Sequence, residues 1–416
     1  MSRYEEAKKA YQELGVDVEK AMERVAGIPV SVHCWQGDDV LGFEGVTNLE
    51  GGIQTTGNYL GRARNPEELM QDIRKSFALM PGKKRLNLHA NYALLGDELG
   101  KVDRDAYRYD HFKPWVDFAK EIGLDGIDFN PTFFSHAKVK DGLTLSSPDE
   151  ETRHFWIEHG KRSLEIASEL GKAFGKPCFV NIWIPDGLKD IPGDRLGPRM
   201  RLKDSLDQII DHPNYDRKYV IVGVESKVFG IGVESYTVGN SEFYQNYAAK
   251  KGICCLLDTG HYHPTEVVSD KIPSLLCFYD HLALHVSRPV RWDSDHVIIF
   301  EDELKEVAKE IVRNEAEGKV IIGLDYFDAS INRLVAWVTG VHSMQKALLY
   351  AATLPNEEIK KAQDAGDFTK LLYLQERAKM APFSDIYEEY LRRQGLSLDY
   401  YTPIKAYEAE ILAKRG

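Results

Sequence analysis

Eight short apolar runs recur along the chain, at residues 30–34, 85–89, 126–130, 178–184, 219–225, 253–258, 282–286 and 320–324. They are rich in Val, Ile, Leu and Phe and lack clean polar alternation, the pattern of strands buried on both faces. Helical periodicity lies between them. After the seventh run, Leu304, Val307, Ala308, Ile311 and Val312 fall at i, i+3, i+4, i+7 and i+8, and Gly318 stands where a helix stop and turn are expected. Residues 152–170 predict another helix. Ser2-x-x-Glu5 resembles a capping box that opens a first helix running to about residue 25. Strand–helix alternation repeated eight times predicts an α/β protein with a (β/α)8 TIM barrel. The rival is a doubly wound open sheet, but no Gly-x-Gly-x-x-Gly follows the first run, which weighs against dinucleotide binding. From about Trp337 strand character disappears. Residues 359–378, interrupted at Gly366, and 383–393 predict helices instead. The expected organisation is a catalytic barrel with an N-terminal helix over residues 1–336 and a helical extension, engaged in oligomer contacts, over 337–416. The Gly-rich loop 42–64 is long, as functional or mobile loops are.

The polar residues that close these runs carry the chemistry. Glu225, Asp258, His261, His285, Asp293, Asp295 and Asp325 stand at or just beyond the ends of runs five to eight. In a parallel barrel such ends converge on one mouth. Glu225 and Lys227 are two apart, so an extended segment sends both to one face. Asp258 and His261 flank Gly260, and Asp293-x-Asp295 repeats the two-residue spacing. A single Asp after a strand is ordinarily a helix cap or a turn residue. Four consecutive strand ends with such groups point to metal. Carboxylates with a few imidazoles favour Mn²⁺, Mg²⁺ or Co²⁺ over a thiolate zinc site. Seven candidates exceed the needs of one ion and suggest two. Earlier runs end in His33, His89, Asn130 and Trp183, with Asp186 just beyond. These suit a polyol pocket, although each alone reads as structural. Tyr107, Tyr109 and Phe112 are expected to pack a helix, and Glu408 and Glu410 to lie on a solvated helical face.

Composition narrows the class. The 416 residues carry a formal charge of -12, without the basic footprint of a general nucleic-acid binder. The five cysteines show no C-x-x-C, and vicinal Cys254-Cys255 sits in an apolar run, which fits a reduced cytoplasmic compartment. The charged N-terminus MSRYEEAKKAY lacks the apolar core of a secretory signal, and no stretch has the length of a membrane span, so a soluble protein is expected.

The motifs HCWQGDD (33–39), GGIQTTGNY (51–59), LNLHA (86–90), DFNP (128–131), NIWIPDG (181–187), VESKVFGIG (224–232), DTGHYHPTEV (258–267), HVSRPVRWDSDH (285–296) and GLDYFDASINR (323–333) resemble bacterial L-rhamnose isomerase over nearly the whole chain. The resemblance implies a homotetrameric barrel that interconverts L-rhamnose and L-rhamnulose with two divalent-metal positions per subunit, usually Mn²⁺. It also implies that part of the loop 42–64 lies near a neighbour's active site. By resemblance, Glu225, Asp258, His285 and Asp325 bind the first ion, and His261, Asp293 and Asp295 the second, with Asp258 a candidate for sharing. Lys227, His89 and Trp183 would line the sugar site, and Asp325, Lys227 and His261 would be catalytic. A metal-assisted hydride shift is the favoured route and an enediol path the alternative. The rival functions are an isomerase with L-lyxose or L-mannose as main substrate, a metal-dependent phosphodiesterase acting on DNA, and a non-catalytic sugar-binding barrel.

Overall fold

The computed structural model describes residues 2–36, 40–45 and 57–415. The expectations placed on residues 37–39 and 46–56, which include the middle of the loop after the first strand, lie outside the described residues. Eight parallel strands close into a barrel in sequence order: β1 (Pro29–His33), β2 (Lys83–His89), β3 (Ile127–Asn130), β4 (Cys178–Ile182), β5 (Val220–Glu225), β6 (Cys254–Asp258), β7 (Leu282–Val286) and β8 (Val320–Leu324), with β8 pairing back onto β1. The (β/α)8 expectation is therefore correct. Period-two alternation divides each strand. Val30, Leu86, Val180, Leu257 and Leu284 belong to the main core. Phe179, Cys254, Leu256 and Ala283 form a separate apolar cluster, as expected of inward positions low in the barrel.

The helices follow from their caps. Before the barrel come α1 (Arg3–Glu13) and α2 (Val18–Ala26), not the single expected helix. Gly15, at φ +79°, breaks the run, and Asp17 restarts it by accepting from the backbone N–H groups of Glu19 and Lys20. Around the barrel lie α3 (Pro66–Phe77), α4 (Lys113–Glu121), α5 (Glu150–Phe174), α6 (Leu196–Ile210), α7 (Ser241–Lys251), α8 (Val268–Leu276), α9 (Asp302–Arg313) and α10 (Arg333–Ala352). The last packs on α9, α2, α3 and β1 and so serves as the eighth barrel helix. It runs across the expected 336/337 boundary. The outer helices are α11 (Asn356–Asp364), α12 (Phe368–Lys379), α13 (Phe383–Arg393) and α14 (Tyr401–Arg415), with Gly366 at φ +71° separating α11 from α12. Among the described residues no helix is long and apolar enough to cross a membrane.

Glu408 corrects another expectation. It is only 6% exposed, because its carboxylate accepts hydrogen bonds from Tyr59, Asn332 and Lys405. Glu410 is exposed, as expected.

Inside the α5 layer, His159 is held as one neutral tautomer. Its Nδ1 donates to the Arg104 carbonyl at 3.1 Å, and its Nε2 accepts from the Thr132 N–H at 3.0 Å. Burial, reinforced by the charge of Arg104, pushes its pKa down to about 3. The unfolded imidazole takes its proton near pH 6.5, so this contribution to stability is complete above that pH and is lost as pH falls toward 3. Between pH 7 and pH 5 the wild type should lose about 2 kcal/mol more than His159→Gln in urea titrations. Equal losses would contradict the neutral assignment.

Candidate metal centre

The barrel register delivers the acidic groups to one mouth. Asp258 pairs with His285 across β6 and β7, and Gly323 pairs with the same histidine from β8. Beyond the strands, the Thr259 N–H donates to the His285 carbonyl at 3.0 Å and the Asp325 N–H to the Val286 carbonyl at 3.2 Å, which extends the ladder to the ligand-bearing residues. Gly260 then turns the chain. Its N–H donates to Asp258 Oδ1 at 2.6 Å, and an added Cβ would stand 2.7 Å from Asp293 Oδ1. Glycine here lets the two carboxylates approach one another across the backbone.

Two groups of ligand atoms result, each with all atoms within 4.8 Å: Glu225, Asp258, His285 and Asp325 in one, Asp258, His261 and Asp293 in the other. Asp258 belongs to both. His285 Nδ1 is 3.0 Å from Asp325 Oδ2 and 3.3 Å from Glu225 Oε2, while His261 bridges Glu225 Oε1 and Asp293 Oδ2, each at 3.2 Å. Asp295 lines the same mouth but stands outside both groups. Its backbone is at φ +45° and its carbonyl accepts from the Phe327 N–H at 2.9 Å, tying the loop after β7 to the loop after β8.

The electrostatics are those of a site built for positive charge. Burial, together with Glu225, Asp325 and Asp293, pushes Asp258 up to about 8 against the pull of His261. Burial and the neighbouring Asp293, Asp258 and Asp325 also raise Asp295 far above the carboxylate range. Burial opposes ionisation of Glu225 and Asp293 as well, but His285 and His261 outweigh it for the first, and Lys227 and His261 for the second, so both stay well below that range. Asp258 Oδ2, Asp293 Oδ1 and Asp325 Oδ1 are buried without a hydrogen-bond partner, and Nδ1 of His261 and His285 meet carboxylate oxygens only outside hydrogen-bond geometry. Such groups are costly unless something coordinates them. Oxygen and imidazole donors left unpaired in this way fit a hard or borderline divalent cation.

A cavity of ≈ 490 Å³ opens above these groups. His89, Trp183 and Lys227 all line it. Burial, with the nearby charges of His285 and Arg104, keeps His89 neutral, and its Nδ1 lies 3.1 Å from Thr132 Oγ1. The Lys227 ammonium pairs with Asp293 and sits 5.8 Å from the Trp183 ring centroid. Asn130 also lines the cavity. His33 does not: it is buried beside Trp35 and Tyr326 with Nδ1 bonded to the Leu324 carbonyl. Asp186 is likewise structural, caged by the N–H and hydroxyl groups of Thr144 and Ser146. Asn181, Phe134 and Phe327 line the cavity and were missed by sequence reasoning. Asn181 was detectable, since it stands two residues before Trp183 in a buried run, where a polar side chain requires a partner. Here it donates to Glu225. The two aromatics carry no such signal.

If this donor set holds metal, added Mn²⁺ should raise the melting temperature and chelation should lower it, by about 2.7 kcal/mol of stability at 100 times the dissociation constant. Because Asp258 serves both groups, Asp258→Asn should weaken both binding steps in calorimetric titration. An unchanged two-step isotherm in that variant would contradict the shared ligand.

The family model described as L-rhamnose isomerase (RhaA) matches residues 1–415. An L-rhamnose isomerase from Listeria monocytogenes serotype 4a (strain HCC23) is 50% identical over 416 residues, covering 99% of this chain and 98% of that protein. One from Mannheimia succiniciproducens is 50% identical over 415 residues, with the same coverage of 99% and 98%. Among solved structures, an L-ribulose 3-epimerase superposes with a TM-score of 0.49 at 11% identity, over 81% of this chain and 97% of that one.

Proposed function

The chain belongs to the L-rhamnose isomerase family and is an isomerase, and on that premise we propose that it interconverts L-rhamnose and L-rhamnulose with two divalent metal ions. The observation that carries the metal half of this reading is the pair of ligand groups sharing Asp258 beneath a sugar-sized cavity. Glu225, Asp258, His285 and Asp325 would hold the first ion. His261, Asp293 and Asp258 would hold the second, with Asp295 supplying a further carboxylate from the same mouth. Mn²⁺, with Co²⁺ or Mg²⁺ as alternatives, contributes Lewis acidity toward the sugar oxygens when bound.

The chain's own groups do the rest. Burial acts to lower the Lys227 pKa, but Asp293 and Asp295 outweigh it and raise it, so the ammonium stays charged and can hold negative charge developing on a sugar oxygen. His89, neutral, and the amides of Asn130 and Asn181 offer hydrogen bonds to hydroxyls. Trp183, Phe134 and Phe327 wall the chain of the sugar and exclude water. The hydrogen on C2 leaves with its bonding electrons for C1, so that C1 is reduced to an alcohol and C2 is oxidised to a ketone. The proton of O2 passes to O1 through a water that Asp325 orients. This route needs no free base at carbon, which suits a site whose carboxylates are committed to cations and whose lysine is protonated.

A DNA phosphodiesterase on this barrel would need a basic groove, whereas among the described cavity-lining residues Lys227 is the one lysine or arginine. We also expect a homotetramer in which the outer helices take part. Light scattering at assay concentration should give four times the 47.3 kDa chain mass, and an active monomer would remove that expectation.

Ketose formation from L-rhamnose, L-lyxose and L-mannose, assayed side by side, should be fastest with L-rhamnose. Glu225→Gln should lose metal and turnover together. Asp295→Ala should lower turnover about 100-fold with the fold intact. Wild-type turnover in Asp295→Ala would show that this carboxylate serves neither ion. L-rhamnose deuterated at C2 should yield L-rhamnulose with deuterium at C1 in a single turnover. Loss of most of the label to water would reject the hydride shift and favour the enediol route.

A further inference from the structure

The last helix, α14, reaches the pocket loops through two buried charged residues. At its centre, Glu408 accepts from the Tyr59 hydroxyl at 3.0 Å and from the Asn332 side-chain amide. That second bond orients the Asn332 amide so that its oxygen caps α10, accepting from the N–H groups of Leu334 and Val335 at 3.0 Å each. Asn332 ends the loop that follows β8 and carries Asp325. Tyr59 lies on the segment that returns from the loop after β1, and its N–H donates to the Ala329 carbonyl at 2.9 Å. The contact is close: a Cβ on Gly57 would stand 2.5 Å from the Ala329 carbonyl. Ala329 sits between Asp328 and Ser330, both of which line the cavity.

At the far end of α14, the Arg415 side chain is only 3% exposed and donates to the fully buried Asp72 at 2.7 Å. The same carboxylate oxygen accepts from Gln36 at 2.6 Å, and Gln36 in turn accepts from the Ala63 N–H at 2.8 Å. Gln36 and Ala63 are the two ends of the loop after β1, and Val40 on that loop lines the cavity. One helix therefore grips both ends of one pocket loop and the end of another. A helix needed only for packing would not require two buried charges, each of which costs stability unless fully paired.

We propose that α14 is a positioning element of the sugar pocket, and that Glu408 and Arg415 are its positioning residues, setting substrate affinity through the loops after β1 and β8. This rests on the isomerase reading above for its kinetic half only. The test compares wild type with Glu408→Ala, Glu408→Gln, Arg415→Ala and Tyr59→Phe in the full-length, Mn²⁺-loaded protein. In Glu408→Ala and Arg415→Ala the KM for L-rhamnose should rise about 10-fold, the scale of one lost charged hydrogen bond, with kcat changed much less and Mn²⁺ affinity unchanged. Glu408→Gln, which keeps an acceptor oxygen, should recover most of the loss. Hydrogen exchange should quicken in residues 57–64 and 325–332 and stay as in wild type in the strands. If Glu408→Ala does not fold, Tyr59→Phe, which removes one hydroxyl, carries the same expectation at smaller size. Unchanged KM overturns the proposal, whether the variants lose only thermal stability or also exchange faster in the loops. A wild type inactive on every aldose would overturn the isomerase reading instead. Exchange would then still test the link from α14 to the loops, and unchanged exchange in both segments would overturn it.

Discussion

Five carboxylates, those of Glu225, Asp258, Asp293, Asp295 and Asp325, are brought together at a single buried mouth, and their mutual repulsion is the constraint that the rest of the site has to meet. Two like charges 4 Å apart repel by about 4 kcal/mol at an effective dielectric constant of 20. No side-chain packing favours such an arrangement. Two histidines and Lys227 relieve part of it, yet Asp258 and Asp295 are still driven toward their protonated forms. Divalent cations held there, as proposed, would remove the conflict by replacing those protons and coordinating the buried oxygens and nitrogens together. The conflict among the carboxylates and the capacity to bind metal are one property.

Holding such groups together requires a rigid frame. The parallel ladder between β6, β7 and β8 sets Asp258, His285 and Gly323 side by side, so Asp258 and His285 inherit the precision of backbone hydrogen bonds rather than of loop conformations. Gly260 permits the close approach of Asp258 and Asp293 that gives the two ligand groups a common member. The cavity above is shaped by loops, and these are secured from outside the barrel, by Arg104 and His159 around the loop after β3 and by α14 around the loops after β1 and β8. The first ligand group thus rests on strand ends, the second partly on the loops after β6 and β7, and the wall of the cavity on loops secured from outside the barrel.

Much of this was legible in the sequence because it is local. Each of the eight apolar runs became a barrel strand, with ends displaced by two residues or fewer, since double-sided burial demands an unbroken apolar stretch. The polar residue ending a run is visible for the same reason, and Asp258, His285 and Asp325 were found that way. Apart from Gly15, where the reading failed the determinant was elsewhere in the chain. Gly15 divides the N-terminal helix because a left-handed residue stops it, although the capping signal at Ser2 read as a single start. Glu408 looked solvated because the apolar residues of its helix, such as Ile404, Tyr407, Ile411 and Leu412, do not mark Glu408 as part of a buried face, while its partners Tyr59 and Asn332 are more than 70 residues away. Asp186, which taken alone read as structural, is held by the hydroxyls of Thr144 and Ser146, which close on it from another loop and are not visible from its local sequence. Asp295 shares its two-residue spacing with Asp293 and lines the same mouth, at φ +45° and outside the two compact ligand groups.

The claim that most of the rest depends on is that this mouth is a two-ion site with Asp258 in common. Anomalous diffraction at the manganese edge from crystals grown with Mn²⁺ tests it directly. The account predicts two peaks per chain, one among Glu225, Asp258, His285 and Asp325 and one among Asp258, His261 and Asp293, with Asp258 contacting both. Peaks confined to surface carboxylates, or a metal-free mouth in crystals of protein that still isomerises L-rhamnose, would contradict it.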